Sequence, residues 1–206
     1  DAIVAREVAR EPLDLMELKV PTLAALNLGT DNEPRILGEK NATKIVDALQ
    51  KSRDLPLGRW LFALGIPEVG EITAYKIGLL HKTIDDIAVS PLLGDIVALA
   101  RKETERDLVN PASRLNRPKT DTEKADRQAQ VNRLDGEIAA LNERLRAFDV
   151  KDIGPVVAES ILTFFASPQG KAVLARFKKL KLSPKGGTAS DNAAGHDAGG
   201  AFSGMT

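Results

Sequence analysis

The chain contains no cysteine. Disulfides and thiolate metal sites are therefore excluded, and the redox compartment stays unread. Aromatic residues make up only 4% of its 206 residues. A core must be filled by Leu, Ile, Val and Ala, which suits small helical units better than β-sandwiches built on aromatic and β-branched runs. No stretch of about 18 apolar residues occurs, the length a membrane-spanning helix needs. Asp1-Ala2-Ile3-Val4 lacks the basic start and apolar run of a leader. Neither charge is in surplus, because 29 basic residues balance 29 acidic ones. A general nucleic-acid binder usually carries a basic excess, so the distribution of charge matters more here than its sum. Common enzyme motifs are also missing: there is no phosphate loop ending Gly-Lys-Ser/Thr and no Gly-x-Ser-x-Gly. The two histidines, His81 and His196, lie far apart. His81 falls at a helix end, where it reads as a partner of the helix dipole.

What is present is helical periodicity. A length of 206 residues allows one large or two small domains, and a hydrophobic fraction of 43% is enough for a core. Ala2 to Ala9 reads as the tail of a helix, and Asp14-Leu15-Met16-Glu17 as a capping box opening a short one. Asn27 to Pro34 is a polar loop. Gly38-Glu39-Lys40-Asn41 opens a helix whose Ala42, Ile45, Val46 and Leu49 share one face. Leu57, Trp60, Leu61 and Leu64 repeat that spacing up to a stop at Gly65. Ile72, Tyr75 and Leu79 mark the next helix, with Trp60 and Tyr75 expected in the core. Ser90-Pro91 starts another.

The middle of the chain behaves differently. Val131, Leu134, Ile138, Leu141 and Leu145 recur at alternating steps of three and four, a heptad seam of about two heptads. That length predicts an antiparallel helical hairpin over 91–149, inserted between other units. Gly154 to Ala166 is the next helix, with Val157, Ile161, Phe164 and Phe165 inward. Ser167-Pro168 starts the last, with Val173, Phe177 and Leu180 inward. Between Ser160 and Ser190 six basic residues (Lys171, Arg176, Lys178, Lys179, Lys181, Lys185) occur without an acid. They read either as a solvated helix end or as a phosphate-facing patch. From Ser183 the composition turns to Gly, Ala, Ser, Asn and Asp, which reads as a flexible linker.

One pattern recurs. Ile66-Pro67-Glu68-Val69-Gly70-Glu71 and Ile153-Gly154-Pro155-Val156-Val157 each join a hydrophobic residue, a tight glycine turn and a helix start. A helix also precedes each, so both read as helix-hairpin-helix units. A glycine turn at a helix N-terminus aims free backbone N–H groups outward, and the helix adds roughly half a positive charge there. Two such units packed as a pseudo-symmetric pair can touch both strands of a duplex across a minor groove. Such contacts go to phosphates and carry no base readout.

The stretch Leu57-Gly58-Arg59-Trp60-Leu61-Phe62-Ala63-Leu64-Gly65-Ile66-Pro67-Glu68-Val69-Gly70-Glu71 resembles the third helix-hairpin-helix unit of bacterial NAD-dependent DNA ligases. Asp152-Ile153-Gly154-Pro155-Val156-Val157-Ala158-Glu159-Ser160-Ile161, followed by Phe164 and Phe165, is similar to the fourth. Leu37-Gly38-Glu39-Lys40-Asn41-Ala42 with Lys51-Ser52 is similar to the second. Residues 2–9 correspond to the last helix of the first, and Gly200 to Thr206 to the entry of the BRCT domain that follows in that family. Glu68 and Asp152 stand where the family's hairpins often carry a first glycine.

The resemblance implies an all-α fold of tandem helix-hairpin-helix units. Residues 1–90 would hold the end of the first unit with the second and third, 91–149 the inserted hairpin, 150–182 the fourth unit, and 183–206 a linker and the BRCT start. It implies a non-sequence-specific grip on nicked double-stranded DNA, with the remaining ligase domains in cis, no membrane, and a cytoplasmic, nucleoid-associated setting. The parent enzyme would seal nicks in replication and repair using NAD, magnesium and zinc. Its Lys-x-Asp-Gly motif and the four cysteines of its zinc module are absent here and would lie upstream. This part would be non-catalytic and hold no cofactor. The candidate DNA contacts are Gly38, Glu39, Lys40, Asn41 and Lys44 in the second unit, and Val69, Gly70, Glu71, Thr73 and Lys76 in the third. In the fourth they are Lys151, Ile153, Gly154, Pro155 and Val156. Two other readings stand beside this one: a module of another repair or junction-binding complex, and a protein-interaction scaffold using the 91–149 hairpin.

Overall fold

The computed structural model describes residues 9–30, 32–113 and 116–187. The expected helix over residues 2–8 and the expected BRCT entry at 200–206 lie outside these. Among the described residues the fold is all-α. Its helices are α1 (Val20–Ala24), α2 (Glu39–Lys51), α3 (Leu57–Ala63), α4 (Glu71–Leu80), α5 (Ile84–Ala88), α6 (Pro91–Val109), α7 (Asp121–Leu145), α8 (Pro155–Ala166) and α9 (Pro168–Lys179). Two short 3-10 turns, Pro12–Glu17 and Ser52–Asp54, complete the set.

The first turn differs from its sequence reading. Asp14 does not open it. Glu11 is the N-cap, and Asp14 reaches back so that its Oδ2 accepts the amides of Glu11 and Arg10, each at 2.8 Å. These backbone hydrogen bonds, with the Arg176 guanidinium beside them, hold the Asp14 carboxyl below its ordinary range. Arg176 on α9 also reaches Glu11 and Glu17, so one guanidinium ties the N-terminal turn to the last helix through three carboxylates. Lys178 and Lys179 pair with Asp85 and Glu17. Half of the basic run at 171–185 is thus engaged in holding the fold.

Two cores form. A small one joins Leu23, Leu26 and Ala42, with Leu37, Ile45 and Val46 packed against it, and it unites α1 and α2. The larger one joins Leu57, Trp60, Leu61, Ile66, Val69, Ala74, Ile77, Leu93, Ile153, Ile161 and Phe177. Within it α3 and α4 cross at glycines. A Cβ on Gly78 would stand 2.6 Å from the backbone N of Gly58, and one on Gly58 would stand 2.7 Å from Cα of Tyr75. The buried face of α4 is therefore Ala74, Ile77 and Gly78, while Ile72 and Tyr75 face solvent. This corrects the placement of Tyr75 in the core; Trp60 is buried as expected and meets Phe177 edge-on at 5.2 Å.

The heptad residues Val131, Leu134, Ile138, Leu141 and Leu145 are all buried. Helix α7 lies antiparallel on α6, as three ion pairs of descending order record: Asp95 with Arg144, Lys102 with Glu137 and Arg106 with Asp135. Helix α6 also packs on α8, from Gly94 to Thr104, so it doubles as the helix that flanks the second hairpin. The segment expected to begin a linker instead runs over α3 and α4 at first. Lys185 O accepts from Leu57 N at 2.9 Å, Gly186 N donates to Lys82 O and Gly187 N to Gly78 O, each at 3.0 Å.

Candidate nucleic-acid interface

Helices begin in this chain in two ways. In α5, α6, α7 and α9 the N-cap is Thr83, Ser90, Thr120 or Ser167, and its hydroxyl accepts the amide three residues on, at 3.1–3.2 Å. Those helices satisfy an N-terminal donor from within. In α2, α4 and α8 the N-cap is Gly38, Gly70 or Gly154, and no side chain caps it. Among the described residues, the amides of Gly70, Glu71, Ile72 and Thr73 meet no acceptor, and neither do those of Gly154, Val156 and Val157. Helices α1 and α3 also lack a side-chain cap. They start after Lys19 and Pro56, and in α3 the first amide is used by Lys185 O.

The glycines differ in what the fold demands of them. Gly38 has φ +79°, a conformation that disfavours any side chain. Gly70 and Gly154 have φ −77° and −71°, which every residue adopts, and a Cβ on either would meet only open space. Both are exposed. Among the described residues nothing requires glycine at these two points, and the approach to their amides is unobstructed.

The two hairpins match residue for residue. With Gly70 set against Gly154, Ile66 corresponds to Val150, Glu68 to Asp152 and Val69 to Ile153. Val69 N donates to Ile66 O at 3.2 Å, and Ile153 N to Val150 O at 2.9 Å. Val69 and Ile153 are both buried. Their side chains anchor the bends and their amides are spent inside, so neither residue has a group left to offer a phosphate.

Each bend is also tied to the helix that follows the other. Ser160 Oγ donates to Pro67 O at 2.7 Å. Lys76 Nζ pairs with Asp152. Ser160 and Lys76 are each six residues past their N-cap glycine, so each tie uses the corresponding position of a helix. The groups they meet, Pro67 O and the Asp152 carboxylate, are offset by one residue. Lys76 therefore neutralises the Asp152 carboxylate across the interface. Glu71 is paired with Arg59 at 2.6 Å, and Glu159 with Arg101 at 2.6 Å. Both arginines come from the helix that packs beside the hairpin's second helix.

The other expected contacts sit as follows. Glu39, Lys40 and Lys44 are exposed on α2, and Lys40, Lys44 and Lys151 have no ion-pair partner among the described residues. Asn41 turns its amide back onto Leu37 O at 2.9 Å. Thr73 is half-buried, whereas Pro155 and Val156 are exposed at the start of α8. Glu68 is exposed and carries φ +66°, holding a carboxylate beside the first bend. His81 is buried at the end of α4, where Nδ1–H donates to Ile77 O at 2.8 Å and Nε2 meets Ser90 Oγ at 2.7 Å. Burial pushes its pKa down, so it serves the helix end as a neutral imidazole and not as a cation. Among the described residues no three His, Asp or Glu side chains converge as a metal site, and no helix is long and apolar enough to cross a membrane.

The bends at Gly70 and Gly154 leave backbone amides open to solvent, and the relatives of this chain are DNA ligases by name. The chain is 36% identical over 199 residues to the DNA ligase of Akkermansia muciniphila, an alignment covering 90% of this chain and 25% of that protein. The chain is homologous to a segment of DNA ligases. The ligase of Halorhodospira halophila matches at 30% identity over 174 residues, covering 84% of the chain and 20% of the ligase. The chain thus spans a quarter or less of the length of these ligases. No protein-family model matches it.

Sequence reasoning had found the glycine bends of this ligase-like segment but not their cross-ties. Arg59, Arg101 and Ser160 carried no signal of their own. Arg101 and its partner Glu159 are 58 residues apart, with the whole arm between them.

Proposed function

We propose that this chain is the part of an NAD-dependent DNA ligase that grips duplex DNA by its sugar-phosphate backbone across the minor groove, without reading bases. The observation that carries this reading is the division among helix starts. Four helices spend a Ser or Thr hydroxyl on their N-terminal amides, while the helices at the bends leave theirs open behind Gly38, Gly70 and Gly154. Open amides at the positive end of a helix dipole suit phosphate oxygens. The reciprocal ties that hold the Gly70 and Gly154 bends together suit contact with two strands. Lys40, Lys44 and Lys151 add cations that no carboxylate has claimed.

In this reading the substrate is nicked double-stranded DNA and the other ligase domains act in cis, within the cytoplasm at the nucleoid. Nucleotidyl transfer, with NAD, magnesium and zinc, belongs to those other parts, and this chain is non-catalytic. Its contribution is alignment of the two ends, because a held geometry removes much of the entropic barrier to joining them.

The test is a titration of nicked duplex across a salt series, with the chain as it stands and with Gly70→Asp and Gly154→Asp together. Both positions accept a side chain without strain, so the variant folds. Its carboxylates occupy the open amides and repel phosphate. The unmodified chain binds with affinity that falls as salt rises, and the variant binds at least about tenfold more weakly. Equal binding by the two proteins removes the assignment.

A further inference from the structure

Phosphate contacts alone leave the attraction short. Between residues 68 and 76 there are two acids and one base, and between 148 and 159 three acids and one base. The chain as a whole is neutral, so counterion release offers it little. Something other than charge must add to the hold.

The surface at the two bends supplies it. Ile72 is 72% exposed and Val156 is 64% exposed. Each stands two residues past its N-cap glycine, so the two hold corresponding positions in the two hairpins. A single exposed apolar residue is ordinary. Two β-branched residues at corresponding positions, each on a helix turn whose amides are open, form a repeated feature. Ile72 also sits where the amphipathic pattern of α4 does not need it, since that helix buries Ala74, Ile77 and Gly78 instead.

We infer that Ile72 and Val156 are apolar contacts to deoxyribose, one on each strand, flanking the phosphates held by the adjacent amides. The inference rests on the proposed backbone grip and adds its second component. Sugars line the minor groove between successive phosphates and present C–H edges. An Ile or Val side chain one residue from a phosphate-binding amide meets such an edge and loses water there. The resulting attraction is independent of salt and of base sequence, as a nick-gripping surface requires.

The experiment compares nicked-duplex binding by the chain and by Ile72→Ser with Val156→Ser, each across the same salt series. Val89→Ser is the control, because that residue is 77% exposed and adjoins Ser90, which meets His81 at the end of α4 opposite Gly70. The bend pair should weaken binding about tenfold while leaving the salt slope unchanged, and the control should bind as the unmodified chain does. Unchanged affinity of the bend pair overturns the inference. So does a loss of affinity that comes with a shallower salt slope, since the side chains would then act through the phosphates. A bend pair that loses self-association in sedimentation but not DNA binding also overturns it, in favour of a second copy of the chain. Salt-independent failure of the unmodified chain to bind overturns the backbone grip itself, and is seen before any variant is made.

Discussion

Ser160 donates its hydroxyl to the carbonyl of Pro67, 2.7 Å away and 93 residues earlier in the chain. Lys76 returns the tie to Asp152 in the opposite bend. Two hairpins far apart in sequence are thereby held at one spacing, and that spacing is what a duplex would meet. Ser160→Ala should cost about 1 kcal/mol of stability. Combined with Lys76→Met, it should weaken nicked-duplex binding by more than the two single variants together. Urea melts and a double-mutant binding cycle read the two effects separately, and simple additivity of binding would show that the ties do not set the spacing.

Glu68 holds φ +66° without being glycine. The left-handed region costs an L residue roughly 1–2 kcal/mol, of which glycine's extra freedom in the unfolded chain takes back about 0.5–1 kcal/mol. Glu68→Gly should therefore stabilise the chain by about 0.5 kcal/mol. It should also raise DNA affinity, because a carboxylate beside the bend disappears. Glu68→Ala separates the causes: it keeps the strain and loses the charge, so affinity rises without the gain in melting temperature.

Stability and binding should move in opposite directions at Gly70. Asp is a good N-cap, and its negative charge suits the start of α4. Gly70→Asp should raise stability by about 0.5 kcal/mol while lowering duplex affinity. A thermal melt beside the titration checks the pair of signs. A variant that loses both would place Gly70 in the architecture and not at the interface.

His81 gives the fold a pH dependence. Burial holds its folded pKa below the ordinary 6.5, against the hydrogen bond to Ile77 and the nearby Asp86 carboxylate. Above pH 6.5 the imidazole is neutral in both states and stability is complete. As pH falls below that value the unfolded chain takes up a proton that the native state resists, and stability drops by up to about 1.4 kcal/mol per pH unit. Asp14 and Asp95, held below the carboxylate range by the amides of Glu11 and Arg10 and by Arg144, act in a lower window, as pH falls below about 4. His81→Gln should flatten the fall between pH 6.5 and 5 in urea melts. A slope that survives the substitution would point to other groups.

Much of the helix plan can be read from the amino-acid order because local chemistry decides it. Ser90-Pro91 and Ser167-Pro168 begin helices where a hydroxyl cap and a ring at the first turn demand them, and the heptad residues of α7 are buried as a group. The bends were also legible, since glycine followed by a helix is a local signal. The misreading of α4 has a physical cause. Its packing face is made of Ala74 and Gly78, small residues that let α3 come close, whereas an apolar count favours Ile72 and Tyr75. The ion pairs Lys76–Asp152 and Arg101–Glu159 were beyond reach because no local rule joins residues 76 and 58 positions apart.

Helix α6 runs unbroken from Pro91 to Val109. From Gly94 to Thr104 it lies along α8, where Arg101 grips Glu159, and it carries α7 on another side. A push on the far end of α6 would therefore be felt at its seat on α8, beside the second glycine bend.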